Sequence, residues 1–137
     1  MRYVADASYI ASLLLPDEKA ELKGFDRKTF FINGVTCPGI LQLEVASVLL
    51  KSERRKRINP EQAKELSAIF DEFPILLQPT LTHEQRHVVV SLSRKHDLTP
   101  YDASYLELAI RLDLHLISLD VELIQAGQRE GISVNRF

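Results

Sequence analysis

Four acidic residues end or interrupt apolar runs, and this placement limits what the chain can fold into. Asp6 closes Tyr3-Val4-Ala5, and Asp120 ends Leu116-Ile117-Ser118-Leu119. Glu44 separates Ile40-Leu41-Gln42-Leu43 from Val45-Ala46, and Asp102 opens the helix-like Ala103-Ser104-Tyr105-Leu106-Glu107-Leu108-Ala109. A carboxylate beside a core is costly unless it pairs or coordinates a cation. Taken singly, each has a plain explanation. Asp6, Asp102 and Asp120 suit helix caps, and Glu44 suits a solvent-facing helix position. Taken together, they fit one acidic site at the rim of a common sheet.

The rest of the chain supplies the elements for such a sheet. Residues up to Ala5 read as a strand, followed by a helix over Ser8 to Leu15 that Pro16 stops. Residues 17–36 are ambiguous: Glu18 to Leu22 look helical, and Thr29-Phe30-Phe31-Ile32 has the character of a strand. Pro38 suits the first turn of a helix reaching Arg57, with Ile40, Leu43, Val45, Val48 and Leu49 available to the core. Asn59-Pro60 starts another helix, in which Ala63, Leu66, Ile69, Phe70 and Phe73 recur at helical spacing. Ile75-Leu76-Leu77 reads as a buried strand, and Thr82 with Gln85 as a capping box for a helix to Lys95. A helix over Asp102 to Leu112, a strand over His115 to Leu119, a helix over Val121 to Ala126 and a last strand at Gly131 to Val134 complete the pattern. Alternating strands and helices predict an α/β fold with a central, mainly parallel sheet.

In such sheets ligands bind beyond the carboxyl ends of the strands, where Asp6 and Asp120 are expected. Four acids with oxygen donors suit a hard divalent cation such as Mg²⁺, and without one their mutual repulsion raises carboxylate pKa values.

Bulk properties set the remaining bounds. The 137 residues suffice for one domain with a substantial core. The formal net charge of −2 gives no global signal for nucleic acid or membrane, although 17 Lys and Arg leave room for a local basic patch. A single Cys37 precludes an internal disulfide and fits a reducing compartment. With no long apolar stretch and with Asp6 where a leader would build its apolar region, the expectation is a cytoplasmic protein without a membrane span.

In this order and spacing the motifs resemble PIN-domain ribonucleases, especially VapC-type toxins of toxin–antitoxin pairs. The matching segments are Tyr3 to Ser8, Pro38 to Val45, Leu98 to Ala109 and Leu116 to Asp120, with Tyr101-Asp102-Ala103-Ser104-Tyr105-Leu106-Glu107-Leu108-Ala109 the most specific. The resemblance implies one PIN domain over residues 1–137. It implies Asp6, Glu44, Asp102 and Asp120 as the metal-binding and catalytic set, supported by Ser8 and Ser118. It further implies Mg²⁺- or Mn²⁺-dependent endonucleolytic cleavage of RNA by metal-activated water, homodimerisation and inhibition by a small antitoxin. Ser47 departs from the family, which commonly has Asn three residues after the Glu. A catalytically silent PIN-fold binding module or scaffold is the alternative, and retention of all four acids argues against it.

Other signals point elsewhere and are weaker. His83-Glu84-Gln85-Arg86-His87 matches the zinc-protease pattern H-E-x-x-H, but Thr82 makes it a helix start and no ligand-bearing continuation follows. Lys51, Arg54, Arg55, Lys56 and Arg57 form a basic run that serves either a helix dipole or RNA phosphate. Tyr9, Tyr101 and Tyr105 have the form of base-stacking residues, though aromatic residues in helices are more often core.

Overall fold

The computed structural model describes residues 2–16, 22 and 24–137. Its elements follow in the order β1 (Tyr3–Ala5), α1 (Ala7–Leu14), α2 (Arg27–Asn33), β2 (Val35–Pro38), α3 (Leu41–Arg54) and α4 (Pro60–Asp71). Then come β3 (Ile75–Gln78), α5 (His83–His96), α6 (Pro100–Leu112), β4 (His115–Ile117) and α7 (Val121–Arg129). Among the described residues the strands form one sheet in the order β3-β2-β1-β4, and every pairing is parallel. This is the α/β architecture that the alternating pattern predicts.

The order also locates the site. The chain adds β2 and β3 on one side of β1, then crosses back to place β4 on the other. The reversal falls between β1 and β4, and open parallel sheets bind their ligands outside the carboxyl ends of the strands at such a point. Asp6 directly follows β1, and Ser118 directly follows β4.

Side-chain caps set most helix starts. Asp6 accepts from the Tyr9 N–H at 3.1 Å, Asp26 from Thr29 at 2.8 Å and Asp120 from Leu123 at 3.1 Å. Asn59 with Gln62, and Thr82 with Gln85, complete reciprocal capping boxes. Thr99 caps α6, which places Asp102 in its first turn and not at the cap. Helix α6 is the centre of the fold: Ala103 to Ala109 are all buried, and the helix packs on β1, β2 and β4 with α5 and α7 alongside. Helices α1, α3 and α4 pack on one another.

Several local expectations need correction. Residues 29–32 belong to α2 and not to a strand, because the Asp26 cap and Gly34 at φ 67° frame a short helix. Pro38 ends β2, and α3 begins only at Leu41. Leu43 points outward and is 69% exposed, so it is no core residue. Strand β3 lies at a sheet edge, which leaves Leu76 exposed and not buried. The last strand reduces to one parallel bridge between Val134 and Leu116. The helical reading of Glu18 to Leu22 falls mostly outside the described residues.

Candidate active site

Asp6 is the most constrained of the four acids. It is only 3% exposed, and three neutral donors hold it. The hydroxyl of Ser8 donates to Oδ1 at 2.7 Å, the Tyr9 N–H donates to the same oxygen, and the Ser118 hydroxyl donates to Oδ2 at 2.7 Å. Burial nevertheless pushes its pKa up from 3.8 to about 6, against the hydrogen bonds and with a smaller push from Asp120. No cation neutralises it among the described residues.

The other three acids are half-buried. Glu44 sits in the first turn of α3 and accepts from the Tyr105 hydroxyl at 2.7 Å. Burial raises its pKa most, and the charge of Asp102 adds to the rise. Burial raises Asp102 as well, followed by repulsion from Asp120 and, last, from Glu122. The expected repulsion among the acids is therefore present, but desolvation is the larger cause at Asp6, Glu44 and Asp102. These couplings run Glu44–Asp102–Asp120–Asp6, so the fold draws together acids more than 100 residues apart.

The two serines serve the same place. Besides holding Asp6, the Ser8 hydroxyl accepts from the Leu119 N–H at 3.1 Å, tying α1 to the segment after β4. The fully buried Ser118 hydroxyl also accepts from the Asp120 N–H at 3.0 Å. Among the described residues no three acidic, histidine or cysteine side chains converge closely enough to hold an ion unaided. Each carboxylate has a local partner: Ser8 and Ser118 at Asp6, Tyr105 at Glu44, Thr99 at Asp102 and the Leu123 N–H at Asp120.

A cleft of about 500 Å³ opens beside Glu44, lined also by Ala7, Ile40, Ser47, Lys51 and Tyr101. It runs along α3 from Glu44 to Lys51, and Arg54, Arg55, Lys56 and Arg57 follow in the chain, all exposed.

Three contributors escaped the sequence reading: Glu122, Tyr105 as the partner of Glu44, and Asn135, whose side chain bonds the Ser118 backbone. Tyr105 stands three residues after Asp102, on the same side of α6, and that spacing was the available signal. It is fully buried, which removes it as a base-stacking surface. So is Tyr9, whose hydroxyl donates to the Phe25 carbonyl. His83 and His87 are exposed on the first turns of α5 and belong to no metal-binding cluster among the described residues. Glu107 is bound to Arg111 at 2.7 Å. His96 meets Glu130 at 2.6 Å in a structural contact between α5 and the end of α7.

The PIN domain family profile matches residues 3–128. This chain belongs to the PIN-domain family. Ribonuclease VapC3 of Pyrobaculum aerophilum is 30% identical over 125 residues, covering 91% of this chain and 94% of that protein. Ribonuclease VapC1 of Mycobacterium tuberculosis is 33% identical over 89 residues, covering 65% of each. Among solved structures, PAE2754 from Pyrobaculum aerophilum superposes with a TM-score of 0.70 at 21% identity, over 98% of this chain and 84% of that one. The sarcin–ricin loop cleaving toxin VapC20 of Mycobacterium tuberculosis gives 0.61 at 14% identity, over 91% and 95%. These likenesses establish the PIN fold, and the sequence relatives place the chain beside VapC ribonucleases.

Proposed function

We propose that this PIN domain is a Mg²⁺- or Mn²⁺-dependent endoribonuclease, the toxin of a type II toxin–antitoxin pair. In this reading Asp6, Glu44, Asp102 and Asp120 hold the metal and carry catalysis, while Ser8 and Ser118 support them. The observation that carries it is Asp6: a nearly buried carboxylate with neutral donors on both oxygens and, among the described residues, no cation of its own. The donor set is all oxygen, which suits a hard dication. Because no three carboxylates converge, the fit is to an ion that keeps part of its water shell, as Mg²⁺ commonly does.

A bound divalent ion supplies an activated water at neutral pH and offsets phosphate charge. The chain's part is positioning. Ser8 and Ser118 fix the two oxygens of Asp6, Tyr105 fixes one oxygen of Glu44, and the α6 cap sets the place of Asp102. The exposed cations after Lys51 give the RNA backbone a path toward the acids. A small antitoxin across this site and a homodimer are the partners. The exposed Leu43, Val90 and Tyr101, which border an apolar groove with Leu81, support protein contacts of this kind. The site of action is the cytoplasm, consistent with the lone, buried Cys37 and with the absence, among the described residues, of any helix fit to cross a membrane.

The test is cleavage of a mixed RNA pool by purified protein with Mg²⁺ or Mn²⁺, beside the Asp6→Asn variant. Metal-dependent cutting by the unsubstituted protein and none by the variant is expected. Undiminished cutting by Asp6→Asn removes the site assignment. No cutting together with no metal binding favours the silent binding module.

A further inference from the structure

We infer that Asn135 is a positioning residue of the acidic site: its carboxamide fixes Ser118 so that the Ser118 hydroxyl meets Asp6. The inference rests on the reading of the acids as a metal site and adds a residue from the far end of the chain.

The need for such a residue arises where β4 stops. Residues 133–135 run beside β4: the Leu116 N–H donates to the Ser133 carbonyl at 2.9 Å, and the Asn135 N–H donates to the Leu116 carbonyl at 2.9 Å. Past Ile117 the strand has ended, and Ser118 is fully buried, so its peptide groups need partners. The Asn135 side chain supplies both. Oδ1 accepts from the Ser118 N–H at 3.0 Å, and Nδ2 donates to the Ser118 carbonyl at 2.9 Å. Two bonds from one planar amide restrain the backbone on both sides of Ser118, and with it the direction of its side chain.

The hydroxyl so placed has no spare freedom. It accepts from the Asp120 N–H at 3.0 Å, and its proton goes to Asp6 Oδ2 at 2.7 Å. One residue thereby sets a buried oxygen of Asp6 and the start of the turn that carries Asp120. The backbone also selects the residue type. Asn135 lies at φ 52°, in the left-handed region that Asn and Gly tolerate and most side chains do not. Gly127 holds the segment close, since a Cβ there would stand 2.6 Å from Val134 Cγ2.

Asn135→Gly keeps the left-handed backbone while removing both bonds. The experiment compares it with Ser118→Ala and the double variant, by amide hydrogen exchange without metal and by Mn²⁺ titration without RNA. The expected result has two parts. Exchange at Ser118 and Asp120 accelerates about tenfold or more in Asn135→Gly, while α6 amides stay protected. Mn²⁺ affinity falls about tenfold in Asn135→Gly, as for other groups that orient metal ligands, and the double variant binds no more weakly than Ser118→Ala.

Unchanged exchange at Ser118 and Asp120 overturns the clamp. Faster exchange with unchanged Mn²⁺ affinity reduces Asn135 to a local structural role and overturns its part in positioning. Additive losses in the double variant show that Asn135 does not act through Ser118, which also overturns it. If the unsubstituted protein binds no Mn²⁺, the metal-site reading fails and this inference fails with it, a result distinct from the others. Should Asn135→Gly not fold, Asn135→Asp tolerates the same φ and sets an anionic oxygen against the Ser118 carbonyl in place of the donor, and unchanged exchange at Ser118 and Asp120 in that variant overturns the clamp.

Discussion

Asp6 and Glu107 are buried to the same degree, each 3% exposed, and the protein treats the two charges differently. Glu107, well inside α6, lies one turn before Arg111, whose guanidinium meets both carboxylate oxygens at 2.7 and 3.2 Å. Asp6 has hydroxyls and a peptide N–H around it and no cation among the described residues. A buried charge paired inside the chain is complete. One held only by neutral donors keeps its field directed outward, and that field is available to a cation from solution. On the proposed reading the difference separates a structural acid from one open to a ligand, although sequence hydropathy makes the two look alike.

The sharpest way to break this comparison is to neutralise each acid and measure cleavage. Asp6→Asn is expected to lower the cleavage rate by about a thousandfold, equivalent to losing several kcal/mol of charge stabilisation. Asparagine still caps α1, so circular dichroism and thermal melting should report an intact fold. Glu107→Gln is expected to leave the turnover of folded protein unchanged. If both variants lost cleavage equally, the distinction between the two acids would be void.

The second effect is on stability and has a definite sign. Because the pKa of Asp6 is raised from 3.8 to about 6, the folded state binds its proton more tightly than the unfolded chain does. Asp6 therefore favours folding fully below about pH 4, and that contribution is lost as pH rises through about 6. At 1.36 kcal/mol per pH unit, the loss is on the order of 3 kcal/mol. Urea titrations at pH 4 and pH 7 should show Asp6→Asn gaining on the unsubstituted protein by about that amount, with half the change near pH 5. A constant difference across this range would show that Asp6 ionises without penalty. Saturating Mn²⁺ at pH 7 should restore the unsubstituted protein by about 2.7 kcal/mol at one hundred times its dissociation constant, and the variant hardly at all.

Glu107 should show the smaller, opposite pattern. Glu107→Ala strands the Arg111 guanidinium, whose side chain is 31% exposed and so partly solvated. A fully buried broken pair costs about 3–5 kcal/mol, and partial solvation lowers the expected loss here to about 2 kcal/mol. Replacing Glu107 and Arg111 together by Gln and Met should recover most of it. Equal loss in the single and double variants would mean that packing, and not the pair, holds that part of α6.

How much of this was legible in the sequence depends on the range of the interaction. Caps and boxes are local, so Asn59-Pro60, Thr82 with Gln85, and Asp120 announce their helices directly. Strand–helix alternation gave the parallel sheet, and the acids at the ends of apolar runs gave the rim. What escaped depends on partners distant in the chain. Tyr105 reaches Glu44 across 61 residues and Asn135 acts on β4 through a side chain standing in for a strand, whereas Ser118, which reaches Asp6 across 112, was named by the family resemblance and not by its partner. Phe30 and Phe31 misled for another reason. Aromatic residues favour strands, but the Asp26 cap and Gly34 overrode that preference locally. Burial was also misjudged at edges: Leu43 and Leu76 are as apolar as core residues, and only the topology shows that they face outward.

The smallest expected effect sharpens the comparison within the site itself. Tyr105 is fully buried, and its hydroxyl donates to Glu44 Oε1 at 2.7 Å, so the bond joins the core of α6 to the acid of α3. Burial and the nearby charge of Glu44 drive the Tyr105 pKa far upward, which keeps it a donor at every working pH. Tyr105→Phe removes that donor and almost no volume. Glu44 then loses the hydrogen bond that opposes its desolvation, its pKa rises further, and its carboxylate is freer to turn. Mn²⁺ affinity should fall about tenfold, in the range found for partners that orient metal ligands. The loss should deepen as pH falls toward the raised Glu44 pKa, because protons then compete better with metal. Titration calorimetry at pH 6 and pH 8 checks both the size and the sign. A loss of the same size at both values would point to geometry alone, and no loss would show that Glu44, unlike Asp6, needs no fixed donor to serve the site.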